Sequence, residues 1–197
     1  MSVRSARRVV TAIAVAVETA AAAVAVAAVE TANRNERSGA PALVEARQQA
    51  LLIAALRGVL ALAGLGAAIA RGVHTGPALG LVAFGAALVL LSIYGGDRPA
   101  RSRAKFANPE PAPADAHMQG RWRGLAEAAY PSTIGLSVLT AIALWPQPLL
   151  AAFLAGILAG LAVMSLVGFL RLTALEHARR SRILIDYKAS RVFETPR

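Results

Sequence analysis

Residues 128–170 read AAYPSTIGLSVLTAIALWPQPLLAAFLAGILAGLAVMSLVGFL, without one charged side chain. The middle of the run holds Trp145-Pro146-Gln147-Pro148. Proline cannot continue a helix, so the stretch reads as two apolar helices folded back on a tight turn. A bilayer's hydrocarbon core is about 30 Å thick and takes about 20 apolar residues of helix to cross. The run has the length for two crossings, and the chain is expected to be an integral membrane protein.

Composition agrees. Hydrophobic residues make up 56% of the 197 residues and charged residues 16%, with a mean hydropathy of +0.54. Soluble domains carry about a quarter charged residues, so this depletion fits helices in lipid. There is no cysteine, which excludes disulfides and thiolate metal sites. The net charge of +10 raises nucleic acid as a partner, yet the basic residues flank apolar spans. That distribution follows the positive-inside rule and attraction to anionic lipid headgroups. Nucleic acid is therefore not expected as a partner.

Working outward, helical character resumes near Arg121-Trp122-Arg123, an aromatic and two cations suited to a membrane interface. Leu125–Trp145 and Pro148–Leu170 make one hairpin over 125–170. A second occupies 50–94, with Ala50–Ala70 and Pro77–Tyr94 joined through Arg71-Gly72-Val73-His74-Thr75-Gly76. Between them the 95–124 loop is basic and rich in proline (Pro109, Pro111, Pro113) and reads as an irregular linker. The 171–197 tail is basic, and Leu172, Leu175, Ile183, Leu184 and Tyr187 could hold part of it flat on the lipid surface.

At the other end, Val9–Val29 is Ala/Val-rich and interrupted by Glu18. If it crosses, the protein has five spans with its N-terminus outside. If it lies along the surface, there are four. Its length favours crossing, while Arg4, Arg7 and Arg8 favour the surface. A basic start and Ala25-Val26-Ala27 also fit a cleavable signal peptide, against which Glu18 and the long apolar run both count. The expected fold is thus all-α and polytopic: a single membrane domain over 1–197, with two hairpins plus an N-terminal apolar helix, five spans being favoured over four.

Orientation follows from the cations. The loop carries Arg98, Arg101, Arg103, Lys105, Arg121 and Arg123, and the tail Arg171, Arg179, Arg180, Arg182, Lys188, Arg191 and Arg197. The 30–48 segment adds Arg34, Arg37 and Arg47, against Arg71 alone in the two hairpin turns. The loop and C-terminus are therefore expected in the cytoplasm and the Trp145–Pro148 turn outside, in the cytoplasmic membrane, the inner membrane if the cell is bacterial. Arg98, Arg101, Arg103, Lys105, Arg121, Arg123, Arg179, Arg180 and Arg182 are the candidate headgroup ligands.

Two residues suggest chemistry inside the bilayer. An intramembrane carboxylate such as Glu18 is costly and often marks an ion path or an ion pair. Arg57 lies about 10 Å in from Ala50 and Glu18 about 16 Å in from Val29 at 1.5 Å per residue. The roughly 6 Å difference is within side-chain reach. Against this, Arg57 can snorkel and Glu18 can be protonated or wet. Gly156 and Gly160 form a GxxxG motif, with Ala152 and Gly168 extending its face and Gly64 and Gly66 offering a similar patch. Such faces let helices approach closely, within one chain or between copies.

Other motifs fail. Gly64-Leu65-Gly66 lacks the strand and third glycine of a dinucleotide fingerprint. His74, His117 and His177 have no metal-ligand spacing. Ser132, Ser137 and Ser165 are expected to bond helix carbonyls rather than attack a substrate. No cofactor or metal is expected. The expected function is that of a non-catalytic accessory subunit, assembly factor or scaffold, with partner subunits or further copies of itself. The alternative is a small transporter or proton-conducting protein using Glu18 and Arg57.

Overall fold

The computed structural model describes residues 42–95, 106, 108–113, 116–129, 131–186 and 191–196. Val9–Val29 with Glu18, and Arg98, Arg101, Arg103 and Lys105, lie outside the described residues. The chain is mostly helical, in the order β1 (Ala42–Glu45), α1 (Ala46–Ala70), α2 (Thr75–Tyr94), β2 (Glu110–Pro111), β3 (His117–Met118), α3 (Arg121–Ala129), α4 (Ser132–Ala143), α5 (Pro148–Arg179), β4 (Ser181–Asp186) and β5 (Arg191–Pro196).

Three of these helices, α1, α2 and α5, are long and apolar enough to cross a membrane. Helix α1 runs its 25 residues without a breaker and stops in a Schellman motif. Gly72 takes φ +98°, its N–H reaches Ile69 O at 2.9 Å, and the Val73 N–H reaches Ala68 O at 3.2 Å. Those bonds satisfy carbonyls that a helix end leaves orphaned. Val73 then packs with Ala68, Ala78 and Ala152. In α2, Pro77 falls in the first turn, where its missing N–H has no intrahelical partner to lose.

The stretch expected as one span, Leu125–Trp145, is divided. Helices α3 and α4 meet at 65°, because Pro131 lacks an N–H and disfavours helical backbone in the residue before it. Helix α4 has 12 residues, about 18 Å, too short to cross alone; counted with α3 as one broken span, it brings the number to four. Pro148 opens α5 at its first positions, and this helix runs on well past Leu170. Its 32 residues reach about 48 Å, roughly 18 Å more than the hydrocarbon needs.

Helix α5 lies between α1 and α2. A Cβ added at Gly156 would run into the Val82 backbone, and one at Gly160 would come within 2.9 Å of Val89 Cβ and 3.0 Å of Ala86 Cα. On the other flank, Gly64 of α1 faces Ala155, whose Cβ would lie 3.1 Å from an added methyl. Ala151, Ala152 and Ala155 are fully buried. Small residues allow these backbones to close up into direct van der Waals contact.

The far end of α5 carries a five-stranded sheet of order β2-β5-β4-β1-β3. Strand β4 is antiparallel to β5, with Leu184 opposite Phe193, and to β1, with Glu45 opposite Leu184. β1–β3 and β2–β5 are parallel. One face sets Ile183 and Val192 against Ala46 and Leu172, with Ala50, Leu175 and Phe106 around them. The other buries Leu43, Leu184 and Phe193 beside Ala112 and Ala116. Thus Ile183 and Leu184, expected on the lipid surface, sit in a strand. Part of the proline-rich loop is drawn into the same small sheet.

Candidate functional site

Arg57 stands near the middle of α1, on its inward face. The Arg57 Nε donates to Thr133 Oγ1 at 2.8 Å and Nη1 to Ser165 Oγ at 2.8 Å. Longer contacts of 3.5 Å run from Nη1 to Leu161 O and from Nη2 to Ser132 Oγ. Three helices therefore converge on one guanidinium. The bend at Pro131 brings the start of α4, with Ser132 and Thr133, to this depth. The surroundings are graded: Thr133 is buried, Arg57 and Ser165 are half-buried, and Ser132 is exposed.

The hydroxyls have defined roles. Ser165 donates to Leu161 O at 3.0 Å, which leaves its lone pairs to accept from Arg57. Ser137 donates to Thr133 O at 2.7 Å and Thr140 to Leu136 O at 2.7 Å. These bonds to the carbonyl four residues back are the pattern expected of hydroxyls in apolar helices. Thr133, Ser137 and Thr140 are all buried and recur at helical spacing on one face of α4. That stripe was legible in the sequence; its juxtaposition with Arg57 was not, because the partners are 75 to 108 residues away.

A second polar cluster joins the sheet to the helices. Glu176, buried in the last turn of α5, accepts the Ile183 N–H through Oε1 at 3.0 Å. Its Oε2 lies 3.7 Å from Arg47 Nε. A carboxylate there opposes the helix dipole, and Arg47 and the amide offset that cost. Arg182 pairs with Glu45 at 3.3 Å, Arg179 with Glu194 at 3.8 Å and Arg191 with Glu110 at 4.0 Å. Of the candidate headgroup arginines, Arg179 thus holds sheet to helix and Arg182 joins strand β4 to β1. Arg180 is exposed and ends α5 at φ 54°. Arg123 is half-buried in α3, and Arg121 is placed only by its backbone, at the start of α3.

At the opposite end the two short turns meet. The Arg71 guanidinium lies 4.4 Å from the centre of the Trp145 ring, a cation–π contact between the α1–α2 and α4–α5 turns. Of the small residues singled out, Gly64, Ala152, Gly156 and Gly160 lie inside helix contacts. A Cβ added at Gly66 or Gly168 meets nothing within 4 Å among the described residues. Among the described residues, no three His, Asp or Glu side chains are grouped to hold a metal. No family model, curated protein or solved structure matches the chain.

Proposed function

We propose that the chain is a non-catalytic integral membrane protein, an accessory subunit, assembly factor or scaffold of a membrane complex. In this reading it has five spans: residues 9–29, α1, α2, the broken α3–α4 pair, and α5. The sheet, the 95–124 loop and the C-terminus face the cytoplasm, and the Arg71 and Trp145 turns face outside. The exposed Arg180 and the loop arginines would meet anionic headgroups there.

The observation that carries the reading is the use made of polar groups inside the bundle. Arg57 binds hydroxyls of α4 and α5, and Ser137, Thr140 and Ser165 bond their own helix carbonyls. Arg57 thus cross-links α1 to α4 and α5, and the hydroxyl donors are satisfied within their own helices. Co-purification of the full chain in mild detergent tests it. A stoichiometric membrane partner whose accumulation falls when this chain is deleted is the expected result. A monodisperse homo-oligomer that carries solute or proton flux in liposomes would overturn it.

One observation favours the transporter reading. Helix α4 begins at membrane depth beside Arg57, and broken helices often line transport sites. Under that reading Glu18→Gln abolishes flux in proteoliposomes. Under the subunit reading there is no flux to abolish.

A further inference from the structure

We propose that Arg171 holds the phosphate of an anionic phospholipid in the leaflet on the sheet side of the bundle. This rests on the reading of α1, α2 and α5 as crossing helices and names the lipid contact at that end. Three observations carry it.

The first is the level of the membrane boundary, which helix packing fixes. Helices α1 and α5 are antiparallel, with Gly64 against Ala155 and Ala46 packed with Leu172. That register sets Leu51 level with residue 168. Helices α2 and α5 are parallel, with Val82 against Gly156 and Ala86 against Gly160, which sets Tyr94 at the same level. Leu51, Tyr94 and Leu170 are exposed, and each is the last exposed large apolar side chain of its helix toward the sheet. Tyrosine favours such a boundary. From Pro148 to Gly168 the helix rises about 30 Å, the thickness of the hydrocarbon core.

The second is the position of Arg171. It lies about 4.5 Å beyond Gly168, within a headgroup layer about 5–7.5 Å deep. It follows Gly160 by about three helical turns, on the face of α5 that meets α2. Helix α2 ends at Tyr94, about one turn lower. The Arg171 side chain therefore emerges past that end and is exposed.

The third is charge. Arg47, Arg179, Arg182 and Arg191 each face a glutamate. Arg171 has no hydrogen-bond or ion-pair partner among the described residues. A guanidinium stays charged and presents paired N–H donors that match two phosphate oxygens. The bilayer itself places phosphodiesters at this depth, and an anionic lipid adds the net charge that juxtamembrane cations attract.

Native mass spectrometry of the full chain, extracted from mixed phosphatidylglycerol and phosphatidylcholine bilayers, tests the site. The unaltered chain should retain phosphatidylglycerol, and Arg171→Gln about fivefold less, the factor that about 1 kcal/mol per surface arginine gives. Equal retention would overturn the proposal. So would an Arg171→Gln unfolding midpoint that falls equally in the mixed bilayer and in pure phosphatidylcholine, because the charge would then serve the C-terminal end of α2. Displacement of the lipid by inorganic phosphate would mark a free-anion site and overturn the lipid assignment. Nitroxides on Leu166→Cys and Ala174→Cys, in a chain without native cysteine, check the boundary. Oxygen should relax the first and a water-soluble reagent the second. Oxygen dominant at both would overturn the site while α5 still crosses. Water access at both would remove the crossing of α5 itself. Failure of the lipid site alone leaves the subunit reading standing.

Discussion

The Glu176 carboxylate accepts the backbone N–H of Ile183 at 3.0 Å, so the last turn of a membrane-length helix is tied directly to strand β4. The same carboxylate faces Arg47 at the start of α1. One buried side chain thereby fixes the sheet to α1 and α5. Glu176→Ala should strand the buried Ile183 amide and free Arg47, lowering stability by about 1.5–3 kcal/mol, the range for a lost hydrogen bond to a charged group. Thermal unfolding in detergent reads the loss. Hydrogen exchange at Ile183 should accelerate first, and an unchanged Ile183 amide would contradict the contact.

Helix packing predicts opposite signs for two glycines. Gly156→Ala places a methyl against the Val82 backbone, and overpacking of that kind costs about 1–3 kcal/mol. Gly66→Ala meets nothing within 4 Å among the described residues and should stabilise by up to about 1 kcal/mol through helix propensity. Paired melting curves of the two variants decide between this packing and one in which Gly156 faces lipid.

Arg180 holds φ 54° while its N–H bonds Glu176 O. A side chain in left-handed backbone costs roughly 1–2 kcal/mol that glycine avoids. Arg180→Gly is expected to raise stability by about 1 kcal/mol, seen as a higher unfolding midpoint with the sheet unchanged by circular dichroism. A lower midpoint would mean that the guanidinium makes a contact worth more than the strain.

The Arg71–Trp145 contact joins two turns far apart in sequence. Because both side chains are exposed, its worth should be about 0.5–1 kcal/mol. A double-mutant cycle over Arg71→Gln and Trp145→Ala should return a coupling of that size. Zero coupling would place the turns apart.

Much of this architecture was legible in the residues. The apolar lengths mark α1, α2 and α5 as span-sized helices, since a bilayer sets a length that composition alone can meet. Pro148 marks the start of α5, and Gly72 the end of α1, because each restricts or frees the backbone locally. The bend before Ser132 had its signal in Pro131, which a hydropathy window averages away. The hairpin of β4 and β5 also had one: Ile183, Ile185, Val192 and Phe193 are strand formers. In a basic tail the same residues read equally well as an interfacial helix.

What the sequence by itself determined is that α1, α2 and α5 are apolar helices of span length, because helix hydrogen bonds are local and composition alone can meet the length a bilayer sets. Tertiary structure decided which faces meet: α5 between α1 and α2, Arg57 among the hydroxyls of α4 and α5, and a sheet assembled from Ala42–Glu45, the loop and the tail. Those pairings depend on shape and hydrogen bonding between residues up to 141 positions apart, as for Val44 and Ile185. No periodicity along the chain encodes them.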